Sequence, residues 1–455
     1  MLGWAALPIS AEIPPLEVQI GEMVEGVTCA SDPSQTYTLY VPSAYSPDRG
    51  WPVLLVFDPR GRSRLAAELF QQAAETYGWI IVSSDNTRSD GPMEPNVVAI
   101  QALWPEVHTR LPADFDRIYA AGFSGGAAVA YSLSKVTREV AGIIACGGRF
   151  FPNELRGNDV PIFATAGDVD FNFRETHLLG DFLAEQGNPH RLVVFEGAHS
   201  WMPSDVARQA VGWLELVAMR AGLREPHPEL VTSLYSFDLE TARTMEANGR
   251  LLDAVRRYTE MQRTYNGLSD ISDLRRAVEE IERDPAYKQQ QKEMKRWDAF
   301  EQRYLGEMNN QFAELRTAEI VPPVPRLSLG FRIMELKKRA LRPGAEGVTA
   351  RRALNTLTTG LSFYLPRDFL AAGQYDRLAA SLELALQVTA DNPVWWYNLA
   401  CARARLNRDE AAMDALKRAL ESGFSRAELL ATDEDLDSLR DREDFKTLLA
   451  TVPQP

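Results

Sequence analysis

Three residue types that can cleave an acyl bond together fall at matching places in the first half of this chain. The run AAGFSGGAA contains G-x-S-x-G as Gly122, Ser124 and Gly126. It closes an apolar stretch, RIYAAGF (117–123), and opens a helical pattern. The serine would therefore stand on a sharp strand-to-helix turn whose flanks tolerate little bulk. The free N–H groups and positive end of the following helix would favour negative charge beside it. Such a pentapeptide is common, and alone it can be a purely structural turn. The other two parts add the weight. PIFATAG (161–167) is followed by Asp168, Val169 and Asp170, and RLVVFEG (191–197) by Ala198 and His199. Nucleophile, acid and base in this chain order, each past the end of a successive strand, suit base-assisted acyl transfer. The chain has only 5 histidines, so chance rarely puts one there. His190 precedes its strand and belongs to the opposite end of a sheet. His108, His177 and His227 read as surface residues of helices or a linker.

The tetrahedral oxyanion of such a step needs two backbone donors. The N–H of Gly125, directly after the serine, is one. The other is expected from the loop after PVLLVFD (52–58), which reads Asp58, Pro59, Arg60, Gly61, Arg62. Pro59 has no N–H, so Arg60 is the expected donor, with Gly61 behind it. Position past strand ends also puts Asn86, Phe171 and Trp201 around a pocket, beside Asp85, Arg88, Asn172 and Phe173. The aromatic rings would suit an acyl or aryl group, or would simply pack the loops.

These residues need a frame. Up to about residue 222, β-rich runs at 36–42, 52–58, 79–85, 117–123, 141–147, 161–167 and 191–197 alternate with amphipathic stretches. Among the latter are Asn96–Arg110, Gly125–Ser134 and Phe173–Gln186. The middle runs are continuously apolar, as in parallel strands covered on both faces. The expected fold is α/β, a doubly wound and mainly parallel sheet with right-handed crossovers. A dinucleotide-binding sheet is the rival frame, but no GxGxxG follows an early strand. After Gly222 the pattern changes. EPHPEL reads as a linker, and from about Thr232 helical periodicity dominates, with a repeat near 34 residues. In PVWWYNLACARARLNRDEAAMDALKRALESG the phased positions are Trp396, Leu399, Ala400, Ala412, Leu416 and Ala419. Gly373, Leu382 and Ala385 fall one period earlier, and Ala242, Gly249, Ala254 and Tyr258 repeat the spacing further upstream. Residues 284–348 do not phase, and 286–312 read as one long, largely solvated helix. A generic helical bundle is the plainer alternative. The organisation expected is a tail at 1–15, an α/β domain at 16–222, a linker at 223–234 and an all-α repeat domain at 235–455.

Composition narrows the partners. A net charge of −14 disfavours nucleic acid and anionic membrane, which repel an acidic surface. Cys29, Cys146 and Cys401 form no ligand cluster, so neither a metal nor a cofactor is expected. A Cys29–Cys146 bridge stays open, and Cys401 reads as a small buried residue. The opening MLGWAALPISAEIPP resembles the tail of a secretory signal without its basic start, which points to the periplasm or secretion.

Residues 36–222 resemble the esterase branch of the α/β-hydrolases, near the polyhydroxybutyrate depolymerase and feruloyl esterase groups. The pieces that carry the resemblance are YTLYVPSAYSPDRGWPVLLVFDP, GFSGGA, GDVDFNF and GAHSW. With its helical tail, resembling tetratricopeptide repeats, the chain is similar to bacterial hydrolases of unassigned substrate. The resemblance implies hydrolysis of a carboxylic ester, small or carbohydrate-linked, through an acyl-serine. It places the acid at Asp170, a few residues past the strand-ending glycine, with Asp168 capping the turn. DPRGR departs from the HG or HGGG of many esterases at the oxyanion loop. A peptidase or thioesterase could use the same three residues. A different reading is a scaffold whose helices bind a protein and whose hydrolase half is a relic, although an intact triad argues against drift. The helices could also serve as a lid.

Overall fold

The computed structural model describes residue 16 and residues 18–452. The signal-like stretch at 1–15 lies outside the described residues. The chain forms two compact units that part between residues 291 and 292.

The first unit is built on eight strands: β1 (Met23–Thr28), β2 (Thr36–Tyr40), β3 (Trp51–Phe57), β4 (Ile80–Ser84), β5 (Ala113–Phe123), β6 (Val140–Cys146), β7 (Ile162–Gly167) and β8 (His190–Phe195). They lie in the order β1-β2-β4-β3-β5-β6-β7-β8. The β1–β2 and β2–β4 pairs are antiparallel and the rest of the sheet is parallel. This is the mainly parallel sheet expected from the alternating pattern. β1 was not among the expected strands, because MVEGVT has little apolar content and sits half-exposed at the edge.

Burial on both faces explains the unbroken apolar runs. In β3, Val53, Leu55 and Phe57 enter one core while Leu54 and Val56 enter the other. Helices α1 (Ser63–Tyr77) and α6 (Ser204–Arg220) cover one face. On the other lie α2 (Glu94–Thr109), α3 (Gly125–Thr137) and α5 (Phe173–Gln186), with the short α4 (Pro152–Leu155) packed on α3. Cys29 and Cys146 are buried free thiols in opposite cores, so no bridge joins them.

The expected break at 223–234 is not where the units part. α7 (Pro228–Ala247) begins inside that stretch, and with α8 (Leu251–Tyr265) and α9 (Ser272–Arg283) it belongs to the first unit. Long-range charge pairing and a shared apolar core tie them to it. Buried Arg191 of β8 and Arg257 of α8 both donate to Asp238 of α7, at 2.6 and 2.7 Å, and the Tyr265 hydroxyl adds a third bond at 2.9 Å. Leu216 and Met219 of α6 share a core with Val231, Ala242, Ala254 and Tyr258.

The second unit is helical. It comprises most of α10 (Pro285–Thr317), then α11 (Val324–Gly330), α12 (Ile333–Ala340), α13 (Gly344–Thr359), a π-turn (Gly360–Tyr364), α14 (Leu365–Ala371), α15 (Tyr375–Val388), α16 (Pro393–Arg405) and α17 (Asp409–Glu421). α18 (Ala427–Thr432), a 3₁₀ turn (Glu434–Leu439) and α19 (Glu443–Ala450) complete it. The long helix expected at 286–312 is α10, but it is less solvated than its polar composition suggests. Phe300, Tyr304, Met308, Phe312 and Leu315 recur at helical spacing and form a buried stripe. Among the described residues no helix is long and apolar enough to cross a membrane.

Candidate active site

β5 and α3 meet at Ser124, whose backbone lies at φ 53° and ψ −118°. That conformation is strained for a residue with a Cβ. Its surroundings hold it there: the Ser124 N–H donates to the Cys146 carbonyl at 2.8 Å. The flanking glycines are required by contact. A Cβ on Gly122 would stand 2.1 Å from the Gly126 carbonyl oxygen, and one on Gly126 would stand 1.9 Å from that of Phe57. Gly126→Ala is accordingly expected to cost about 3 kcal/mol of stability, read from the urea midpoint of unfolding.

The loops after β7 and β8 converge on this turn. The Ser124 Oγ lies 3.0 Å from His199 Nε2, and His199 Nδ1 lies 2.9 and 3.0 Å from the two oxygens of Asp170. With the Nδ1 proton donated to that carboxylate, Nε2 is left to accept the serine hydroxyl proton. Asp170 is fully buried and accepts the Asn172 N–H at 2.7 Å. The Asn172 side-chain amide donates to the Gly147 carbonyl at 2.8 Å. Gly147, at φ 52°, leaves room for the acid and base: its Cβ would stand 2.8 Å from Asp170 Oδ2 and 3.3 Å from His199 Cε1. Asp168 does something else. Its Oδ1 accepts the Gly197 N–H at 3.0 Å, tying the β7 loop to the β8 loop.

The remaining expected residues divide. The Gly125 N–H opens α3 beside the serine. The Arg60 N–H does not turn toward it, because it donates to Asp58 Oδ1 at 2.9 Å, and the Gly61 N–H donates to the Asp58 carbonyl at 3.1 Å. An aspartate two residues ahead captures the N–H groups of its own turn, a local preference that counting strand ends overlooks. Asn86 is likewise drawn away: its side chain accepts from the Thr36 N–H at 2.9 Å and pins the start of β2. Phe171 packs against the His199 ring, with centroids 4.1 Å apart. Trp201 packs edge-on against Phe70 and donates its indole N–H to Asp58 at 2.8 Å. Asp58 and Gly147 were not singled out for the site, and Asn172 was included only within the run from Phe171 to Phe173. The glycine pair after β6 and the Asn in GDVDFNF were the available signals.

Away from this site, Cys401, Asp433 and Asp435 stand close enough to share an ion. Asp433 already accepts the Tyr397 hydroxyl, and burial pushes the Cys401 thiol up, as suits a packed thiol.

No family model matches the chain. A chloroplastic protein of Arabidopsis thaliana is 42% identical over 85 residues, which cover 18% of this chain and 25% of that protein. The match therefore spans about a quarter of that relative's length. Solved structures similar to the chain include a fluorophosphonate-binding serine hydrolase of Staphylococcus aureus, with 13% identity, coverage of 40% of this chain and 92% of that one, and a TM-score of 0.34. A ferulic acid esterase shows 16% identity over 40% and 91%, with a TM-score of 0.32. An S-formylglutathione hydrolase of Staphylococcus aureus shows 13% identity over 44% and 99%, with a TM-score of 0.37. At such identities and scores, what the site can do has to follow from its own geometry.

Proposed function

We propose that the chain is a serine hydrolase that cleaves a carboxylic ester through an acyl-serine. The observation that supports this most is the continuous line of hydrogen bonds from Ser124 through His199 to buried Asp170. As His199 takes the hydroxyl proton, Ser124 Oγ attacks the ester carbonyl, and the Gly125 N–H faces the developing oxyanion. Protonated His199, steadied by Asp170, then gives its proton to the leaving alcohol. Water repeats the cycle on the acyl-enzyme and frees the acid. The test is labelling of the intact protein by a fluorophosphonate, followed by mapping of the adduct. A folded protein that neither labels at Ser124 nor turns over an aryl acetate would sink the proposal.

The acid can be checked separately. Asp170→Asn is expected to lower kcat about 10⁴-fold, because the imidazole loses its orienting carboxylate. Asp168→Asn keeps an oxygen for the Gly197 N–H and is expected to cost less than about tenfold. Equal losses would reject the assignment.

For the second unit we propose tetratricopeptide-like pairs, α14 with α15 and α16 with α17, that dock a protein partner. Gly373 and Asn407 both take positive φ in the turns between paired helices. They are 34 residues apart, as are buried Leu382 and Leu416, and Ala385 and Ala419.

A further inference from the structure

The loop that carries His199 has no regular structure between Phe195 and Ser204, so its backbone must be held from outside. The Val169 N–H on the Gly197 carbonyl (3.1 Å) and the Cys146 thiol on the Ser200 carbonyl (3.4 Å) contribute, and two side-chain carboxylates hold it on either side of the base. Two residues before it, the Gly197 N–H is held by Asp168 at 3.0 Å. Two residues after it, the Trp201 indole N–H is held by Asp58 at 2.8 Å. Asp58 is fully buried. Its Oδ1 accepts the Arg60 N–H (2.9 Å), the Arg62 N–H (3.3 Å) and Arg62 Nε (3.0 Å), and its Oδ2 accepts Arg62 Nη2 (2.8 Å) as well as the indole. Its carbonyl oxygen takes the Thr87 hydroxyl at 2.7 Å. Burial works against the charge, but the bonds from Arg62, Trp201 and the Arg60 N–H outweigh it and hold the carboxyl below its ordinary value.

With its acceptor sites filled, this carboxylate cannot rotate, and the indole is held along one direction. The Trp201 ring meets Phe123 at 5.5 Å between centroids, and Phe123 meets the His199 ring at 4.7 Å. Asp170 sets the rotation of the imidazole at Nδ1 but cannot set the path of the backbone that carries it.

We propose that Asp58 is a positioning residue for the base: through the Trp201 indole N–H it holds the 198–202 loop so that His199 Nε2 meets the Ser124 hydroxyl. This rests on the reading of Ser124 and His199 as nucleophile and base. It also gives the departure at DPRGR a use, since the aspartate that occupies the Arg60 N–H is the one that anchors Trp201.

Trp201→Phe tests it, because it keeps a ring against Phe70 and Phe123 and deletes only the donor. With p-nitrophenyl acetate, kcat is expected to fall about 10- to 100-fold while KM stays within about twofold. The fluorophosphonate labelling rate should fall in parallel. Tyr37→Phe, which deletes a buried hydrogen bond to Glu106 in the same unit, is the stability control and should leave kcat unchanged. A kcat for Trp201→Phe within twofold of the parent overturns the proposal, as does an equal fall in Tyr37→Phe. If the parent protein neither labels nor turns over ester, the hydrolase reading fails separately. Positioning is then judged by NMR alone: Trp201→Phe should shift the His199 ring resonances, and unshifted signals overturn it.

Discussion

Ser124→Ala is expected to slow turnover of an aryl ester about 10⁵- to 10⁶-fold, with KM little changed and the fluorophosphonate adduct absent. The size follows from the arrangement. His199 Nε2 has the Ser124 hydroxyl as its bonded partner, and without that oxygen the base and Asp170 have no nucleophile to activate. The residue left behind still opens α3, so binding and the Gly125 donor persist and supply the remaining rate. Partner docking on α14–α17 should be unaffected, which separates an enzyme with a docking unit from a scaffold with a relic hydrolase. Ser124→Gly offers a second reading of the same turn. It removes the catalytic oxygen too, but it also relieves the positive φ, and it is expected to stabilise the protein by about 1 kcal/mol. Thermal or urea unfolding of the two variants side by side checks this. If the glycine variant is the less stable, the turn is not strained.

Asp238→Ala is expected to destabilise the first unit by about 3–5 kcal/mol, measured as a shift in the urea midpoint. Asp238 is the shared partner of Arg191 and Arg257, and all three side chains are buried. Removing the carboxylate leaves two guanidinium groups in the interior with their nearest counter-charge gone. Glu260 lies in the same cluster, and burial raises its pKa, so it replaces the lost charge poorly. The pH dependence has a definite sign. Burial opposes ionisation of Asp238, but Arg191 and Arg257 outweigh it and hold its carboxyl below the ordinary value. Its contribution is therefore complete above the unfolded value near 3.9, and is lost as pH falls through the lower folded value. The parent protein should lose stability in that acid range more steeply than Asp238→Ala does. Parallel stability curves below about pH 4 would show that the cluster adds nothing.

The cluster also bears on how the chain is divided. EPHPEL reads as a linker because proline and charge interrupt a helical pattern, and that much is local. Two long-range features tie α7–α9 to the first unit, the pairing of Arg191 with Asp238, 47 positions apart, and the apolar core shared with α6, and no local pattern records either. The long polar helix shows the same limit from the other side. Its mean polarity suggested a solvated rod, while the spacing of Phe300, Tyr304, Met308 and Phe312 already held the stripe that became buried.

The three residues of the site separate along the same line. Ser124 and His199 were legible in the chain because each depends on short-range requirements. One is a strand-to-helix turn that excludes side chains at Gly122 and Gly126; the other is a scarce residue type just past a buried strand. The sheet was legible for a similar reason, since strands covered on both faces must be apolar without alternation. Resemblance alone favoured Asp170 over Asp168, whereas the separation of their contacts is a tertiary fact: one carboxylate meets the imidazole and the other the Gly197 N–H. So are the fates of Arg60 and Asn86, whose hydrogen-bonding groups satisfied nearer partners than a substrate. Asp58 shows the division most sharply. In the chain it is only the last residue before a proline, and in the fold it is a buried residue whose carboxylate and carbonyl together join three loops. Periodicity and turn chemistry act over a few residues and leave their mark in the sequence. The partner of a buried polar group is set by which distant segments the closed fold brings within about 3 Å, and only the assembled structure decides that.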